Sequence, residues 1–217
     1  MLDKQEILRY MGATASDKMI DRLIERAERE VCQVSIPKHT YQRVSILVDP
    51  GLQWVELAGT LIESHDLAHH LRGCKEGFLF ACTLGLGVDS LVKRYSLTEL
   101  AMLPVVQAVS AAYIEYYADK VQQQLNDSIT QQGLYLRPRY SPGYGDFSLS
   151  YQRFLFNALQ ISKQIGVSLT ENFLMIPFKS ITSIIGLSDD PSLCHVNRCM
   201  ICVSKNCPFR KEAAINA

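Results

Sequence analysis

The segment Gly77-Phe78-Leu79-Phe80-Ala81-Cys82-Thr83-Leu84 is a continuous apolar run without a charged residue. A run of this length reads as a buried strand. Residues 3–10 read as a short helix broken by Gly12. Ser16 or Asp17 can cap a second helix reaching Gln33, with Met19, Ile20, Leu23, Ile24, Ala27 and Val31 at helical spacing. Strands are expected over 41–48 and 54–57, separated by the turn signal Pro50-Gly51, and a helix over 61–71. After the apolar run come helices over 86–95 and 99–126, then a Gly/Pro/Tyr-rich loop over 131–147. A helix over 149–165 closed by Gly166 and strands near 173–176 and 181–187 complete the pattern. Helices and antiparallel strands occur in runs rather than in regular βαβ alternation, so the expected class is α+β. Residues 1–188 form the main unit. Residues 189–217 hold four cysteines and few large aliphatics, and read as a small Cys-rich C-terminal appendage.

Hydrophobic residues make up 47% and charged residues 20% of the chain, which excludes disorder as its main state. Lys+Arg and Asp+Glu are both 22, so no global basic field draws the chain to nucleic acid or an anionic membrane. The charged start Met1-Leu2-Asp3-Lys4-Gln5-Glu6 lacks the apolar core of a signal peptide, and the weakly charged stretch 100–114 is too short to span a bilayer. Seven cysteines rule out a complete internal disulfide framework. A reducing, cytoplasmic setting is expected.

Three features could carry chemistry. The loop from Gly133 to Asp146 concentrates Arg137, Arg139, Tyr135, Tyr140, Tyr144, Pro138 and Pro142 among three glycines. Arginine offers a planar fork for a carboxylate or phosphate, and tyrosine faces hold cations. The set suits a zwitterionic ligand with an aromatic part; it equally suits a proline-stiffened surface loop packed on the body. Glu115 is the only charged residue between Glu99 and Asp119 on the longest helix, with Ala111, Ala112, Ala118 and Asp119 at helical spacing. It reads either as the floor of a groove or as a solvent-facing carboxylate. The third feature is Cys194-x4-Cys199-x2-Cys202-x4-Cys207 with His195 inside it. Four thiolates at such spacing could hold zinc or an iron–sulfur cluster, against a set of free thiols. Cys32, Cys74 and Cys82 lie in apolar contexts and read as core. His65, His69 and His70 read as a half-exposed helix face, because no metalloprotease glutamate accompanies them.

Three blocks, in order, resemble a known family. Ala112-Tyr113-Ile114-Glu115-Tyr116-Tyr117 is similar to a helical Ala-x-x-Glu-Tyr segment, and Arg139-Tyr140-Ser141-Pro142-Gly143-Tyr144 to an Arg-x-x-Pro-Gly-Tyr loop. The third block, Gly166-Val167-Ser168-Leu169-Thr170-Glu171-Asn172-Phe173 with Met175, Pro177 and Ser180-Ile181-Thr182-Ser183, is similar to a Leu-Thr-Glu-Ser-Phe and Pro-x-x-Ser-Val-Ser segment. Together they resemble the activation (reactivation) domain of cobalamin-dependent methionine synthase.

The resemblance implies an activation-domain-like fold with helices packed on antiparallel strands. It also implies a groove for S-adenosylmethionine. Arg139 would take the ligand's carboxylate, and Glu115 would face its ammonium or ribose. Ser141, Pro142, Gly143 and Tyr144 would line the groove. The implied partners are a cobalamin-binding methionine synthase or related corrinoid protein and a flavodoxin- or ferredoxin-like electron donor. The chain would act in trans as a reactivation subunit in the remethylation of cob(II)alamin. Methyl transfer from a sulfonium has a good leaving group and needs positioning rather than a general base. The loop departs from the family pattern at Gly145-Asp146-Phe147, which holds no histidine, and the family's aromatic pair falls near Ser192-Leu193-Cys194. Two alternatives follow: an iron–sulfur or zinc protein acting as redox or docking partner of a corrinoid protein, and a non-catalytic interaction module.

Overall fold

In a computed structural model of the chain, residues 2–191 and 194 are described. Cap chemistry sets the first helices. Asp3 accepts from the Gln5 N–H and opens α1 (Lys4–Met11), and Gly12 closes it in the left-handed region. Asp17, rather than Ser16, caps α2 (Lys18–Val34) by accepting from the Met19 and Ile20 amides. Then come β1 (Lys38–Val48), β2 (Trp54–Leu57), β3 (Thr60–Glu63), α3 (His65–His70) and β4 (Glu76–Thr83). α4 (Leu86–Thr98) and α5 (Met102–Thr130) follow, then β5 (Tyr135–Leu136), α6 (Gln152–Ala158), α7 (Ile161–Ile165), β6 (Ser168–Leu169), β7 (Met175–Ile176) and β8 (Ser180–Ser188).

Six strands form one sheet in the order β3-β2-β1-β4-β8-β5, while β6 and β7 form a separate hairpin. The apolar run is the central strand of this sheet. β4 pairs antiparallel with β1 on one edge and with β8 on the other, with Phe80 opposite both Tyr41 and Ser183. The two-residue period of a strand then sends alternate side chains to two cores. Phe78, Phe80 and Cys82 join Ile185 and Leu187 under α1, α2, α4 and α5. Leu79 and Ala81 join Val44, Ile46, Ile184 and residues of α3, α6 and α7 on the opposite face. Cover on both faces explains why the strand carries no polar alternation. The fold is α+β, as expected.

Two expected helices differ. The helix over 61–71 is instead β3 followed by α3, because residues 60–63 complete a hairpin with β2 and Ser64 caps the helix that follows. The helix over 149–165 is a 3-10 turn at Leu149–Tyr151, then α6 and α7, separated by Gln160 in the left-handed region. α5 begins three residues later than expected, at Met102, and keeps Pro104 inside its first turn, where no amide is needed. Cys74 and Cys82 are buried as expected, but Cys32 is exposed on α2. No helix among the described residues is long and apolar enough to cross a membrane.

Candidate functional site

The site forms where α5 passes the chain leaving β5. Arg137 donates its amide to the Gly186 carbonyl, and Tyr140 exchanges both backbone bonds with Ile184, at 2.9 and 2.8 Å. The loop side therefore advances three residues while β8 advances two. This is a one-residue bulge, and Pro138, which has no N–H to donate, sits inside it. The extra residue re-aims the side chains. Arg137 points to the α3 face, where its Nη2 donates to the Arg72 carbonyl at 2.7 Å. Arg139 points to the opposite face, onto α5.

There Arg139 meets three side chains spaced four and three residues apart along one helix face. Its Nη2 donates to Glu115 Oε2 at 2.8 Å and to Asp119 Oδ1 at 2.7 Å. Its Nη1 donates to Gln122 Oε1 at 2.8 Å. The Arg139 side chain is only 11% exposed, whereas Glu115 is 43% and Asp119 71% exposed. Burial disfavours the guanidinium's charge, but the two carboxylates outweigh it and hold the group more firmly protonated than usual. The cluster carries one positive and two negative charges, leaving it net negative. Beneath it, burial pushes the Cys82 thiol up to about 12, and burial together with the Glu115 charge pushes the Tyr10 hydroxyl to about 12. Both stay neutral.

The loop beyond Arg139 is a tight turn. The Tyr144 amide donates to the Ser141 carbonyl at 3.3 Å, with Pro142 second and Gly143 third at φ +94°. Proline and a positive-φ glycine at these places are the signature of a type II turn. Pro142 is buried and Tyr144 is 61% exposed, so the tyrosine stands out from the turn. Its ring lies 6.4 Å from that of Tyr140, which tilts on His70 at 4.9 Å.

Asp146 locks the far end of the turn. Its carboxylate accepts from Ser64 Oγ at 2.5 Å, from the His65 amide at 2.7 Å and from the Asp66 amide at 3.1 Å. Its own amide donates back to Asp66 Oδ2 at 3.1 Å. Partial burial works against the Asp146 charge, but these hydrogen bonds outweigh it and hold the carboxyl below its ordinary range. A Cβ on Gly145 would lie 2.1 Å from Asp66 Oδ2, so any side chain there must push the Asp66 carboxylate out of the clamp.

A family model described as "Vitamin B12 dependent methionine synthase, activation domain" matches residues 76–200, more than half of the chain. The chain belongs to this family. The activation-domain fold is also seen in a solved structure: the chain is similar to a crystal structure described as the MetH reactivation domain bound to AdoHcy. That match has a TM-score of 0.64 at 14% identity and covers 90% of this chain and 75% of that one. No curated protein matches the chain.

Within this activation domain, the sequence-predicted residues divide into those brought together and those not described. Glu115, Arg139, Ser141, Pro142, Gly143 and Tyr144 lie on α5 and the adjoining turn, so the first two blocks meet. Ser180-Ile181-Thr182-Ser183 opens β8, the strand on which the loop is bridged. Asp119, Gln122 and Asp146 were missing from the expected set. The first two were detectable as the continuation of the Glu115 helix face; Asp146 gave no local signal, because its partners lie some 80 residues earlier. Of the proposed metal ligands, Cys199, Cys202 and Cys207 lie outside the described residues. Cys194 is half-buried and donates its thiol to the Asp190 carbonyl at 3.5 Å. Among the described residues no group of three or more His, Cys, Asp or Glu side chains could hold a metal ion.

Proposed function

We propose that this activation domain binds S-adenosylmethionine beside α5 and positions its methyl group for transfer in the remethylation of a corrinoid carried by a partner protein. The observation that carries the reading is the Arg139–Glu115–Asp119 cluster standing beside the Ser141–Tyr144 turn. The amino-acid end of the ligand is a zwitterion, and the cluster is an ion-pair network of matching chemistry. The ligand carboxylate replaces Asp119, the more exposed of the two carboxylates, at Arg139 Nη2. The ammonium is received by Glu115. The exchange swaps one charged hydrogen bond for another, so the buried guanidinium is never left unpaired. Gly143 presents backbone without a side chain, and the exposed Tyr144 ring supplies a face for the adenosyl group or the sulfonium.

The partner's corrinoid, once reduced by one electron from a separate donor, would supply the cobalt nucleophile. This chain's own contribution is orientation. Arg139 fixes one end of the ligand, and the Asp146 clamp holds the turn against α3. No proton has to move on this chain, so a rigid, charge-matched cradle is sufficient.

Anaerobic calorimetry of the protein with S-adenosylmethionine, run beside Arg139→Ala, tests the reading. Binding by the wild type that falls at least tenfold in the variant is expected. Equal binding by both proteins would remove the ligand from this cluster. A companion assay adds the protein to a separately purified cobalamin-binding methionine synthase fragment in the cob(II)alamin state with a reductant. S-adenosylmethionine-dependent methylcobalamin formation is expected only when this chain is present.

A further inference from the structure

The cluster holds more negative charge than a zwitterion needs. One guanidinium faces two carboxylates and a neutral amide, and the nearby Tyr10 and Cys82 are both uncharged. The neighbouring Lys120 keeps its charge but lies over the Tyr116 ring at 5.3 Å, and the ion pairs of Glu115 and Asp119 run to Arg139. A bound zwitterion adds no net charge, so the cluster stays negative beneath it. We infer that Asp119 is a specificity-determining residue that makes the groove prefer a sulfonium ligand and discharge the neutral thioether left after methyl transfer. The inference rests on the S-adenosylmethionine reading above and deepens it.

The argument is one of charge and distance. When the ligand carboxylate takes Arg139 Nη2, Asp119 is released from its ion pair. It remains on the same helix face, one turn from Glu115. In the ligand, the sulfur is only three bonds from the carbon that bears the ammonium, so the sulfonium lies within a few ångströms of the released carboxylate. Methyl transfer breaks the S–CH3 bond with its electron pair left on sulfur, and the methyl cation would pass to the partner's cobalt, which an external one-electron donor has reduced so that it provides the pair for the new bond. The ligand thereby falls from one positive charge to none, and the complex goes from neutral to net negative. The groove's attraction for the ligand thus weakens at the step that makes the ligand useless. At 71% exposure Asp119 acts through a high effective dielectric, which sets the preference at roughly threefold to tenfold.

Three probes measure it by calorimetry at low salt: S-adenosylmethionine; sinefungin, which carries an ammonium-bearing carbon in place of the sulfonium; and S-adenosylhomocysteine. In the wild type both cations are expected to bind more tightly than the thioether. In Asp119→Asn, which keeps an acceptor for Arg139, the cation-to-thioether ratio is expected to shrink by about threefold to tenfold. Asp127→Asn removes the same charge from α5 eight residues further on, about 12 Å along the helix axis, and should leave the ratio as in the wild type. An unchanged ratio in Asp119→Asn with all three probes still binding overturns this inference and leaves the binding site standing. Failure of the wild type to bind any probe overturns the site itself, and the inference with it.

Discussion

Arg139 Nη2 donates to Glu115 Oε2 at 2.8 Å, tying a loop residue to a helix residue 24 positions earlier in the chain. The bond joins two of the three sequence blocks into one surface. It also makes the arginine a structural tether as well as a binding group, and the two roles can be separated.

Replacing Arg139 by alanine leaves Glu115 and Asp119 one helical turn apart without their shared cation. A loss of about 0.5–1.5 kcal/mol is expected, because the two carboxylates left behind are open to solvent and stay hydrated. Arg139→Lys keeps the charge but has a single ammonium where the guanidinium reaches three side chains. Urea unfolding should rank wild type above Arg139→Lys and Arg139→Lys above Arg139→Ala. Identical midpoints for all three would mean that the tether contributes nothing.

Asp146→Ala removes the acceptor for the first amides of α3. The expected cost is about 1 kcal/mol, as for a helix cap, because solvent screens this partly exposed group. Its folded carboxyl titrates below the unfolded value, so its contribution is present above the unfolded pKa and lost as pH falls through the folded one. The stability difference between wild type and variant should hold from neutral pH to about 5 and shrink below about 4. A difference that grows on acidification would contradict the hydrogen-bonded carboxylate.

Gly145→Ala places a methyl group against the Asp66 carboxylate at a backbone φ of +54°. A cost of about 1–3 kcal/mol is expected from conformational strain before any clash is counted. Hydrogen exchange should locate the damage. The Asp146 and Phe147 amides should lose protection while those of β4 keep theirs.

The cysteines differ in reach. Among the four described cysteines, alkylation of the native protein at pH 8 should label Cys32 first, because it is exposed. Cys82 should stay unmodified until unfolding, since its thiol is buried and raised to about 12. Mass spectrometry of tryptic peptides checks the order. Early labelling of Cys82 would mean that β4 is not the central strand.

Much of this fold was legible because its periodicities are strong. The run from Gly77 to Leu84 announced a buried strand, and the Ser16-Asp17 cap signal announced α2. What failed was local signal overridden by tertiary pairing. Residues 60–63 look helical beside the following histidines, yet the β2 hairpin claims them. At the site, Glu115 and the Arg139–Tyr144 turn were visible as residue types in a pattern. Asp119 and Gln122 needed the helix face to be followed one and two turns further. Asp146 was invisible because a side chain capping a distant helix leaves no mark on its own neighbourhood.

The bulge at Pro138 has a consequence for how this site can change. In a regular strand, residues two apart share a side, so Arg137 and Arg139 would lie together on one face of the sheet. The extra residue breaks that parity and sends the two arginines to opposite faces, one to the Arg72 carbonyl and the other to α5. The handedness of the site is thus a counting property of the backbone, indifferent to which amino acid occupies the spare position. Point substitution can weaken the grip of Arg139; only a change in chain length between Arg137 and Tyr140 can turn it away.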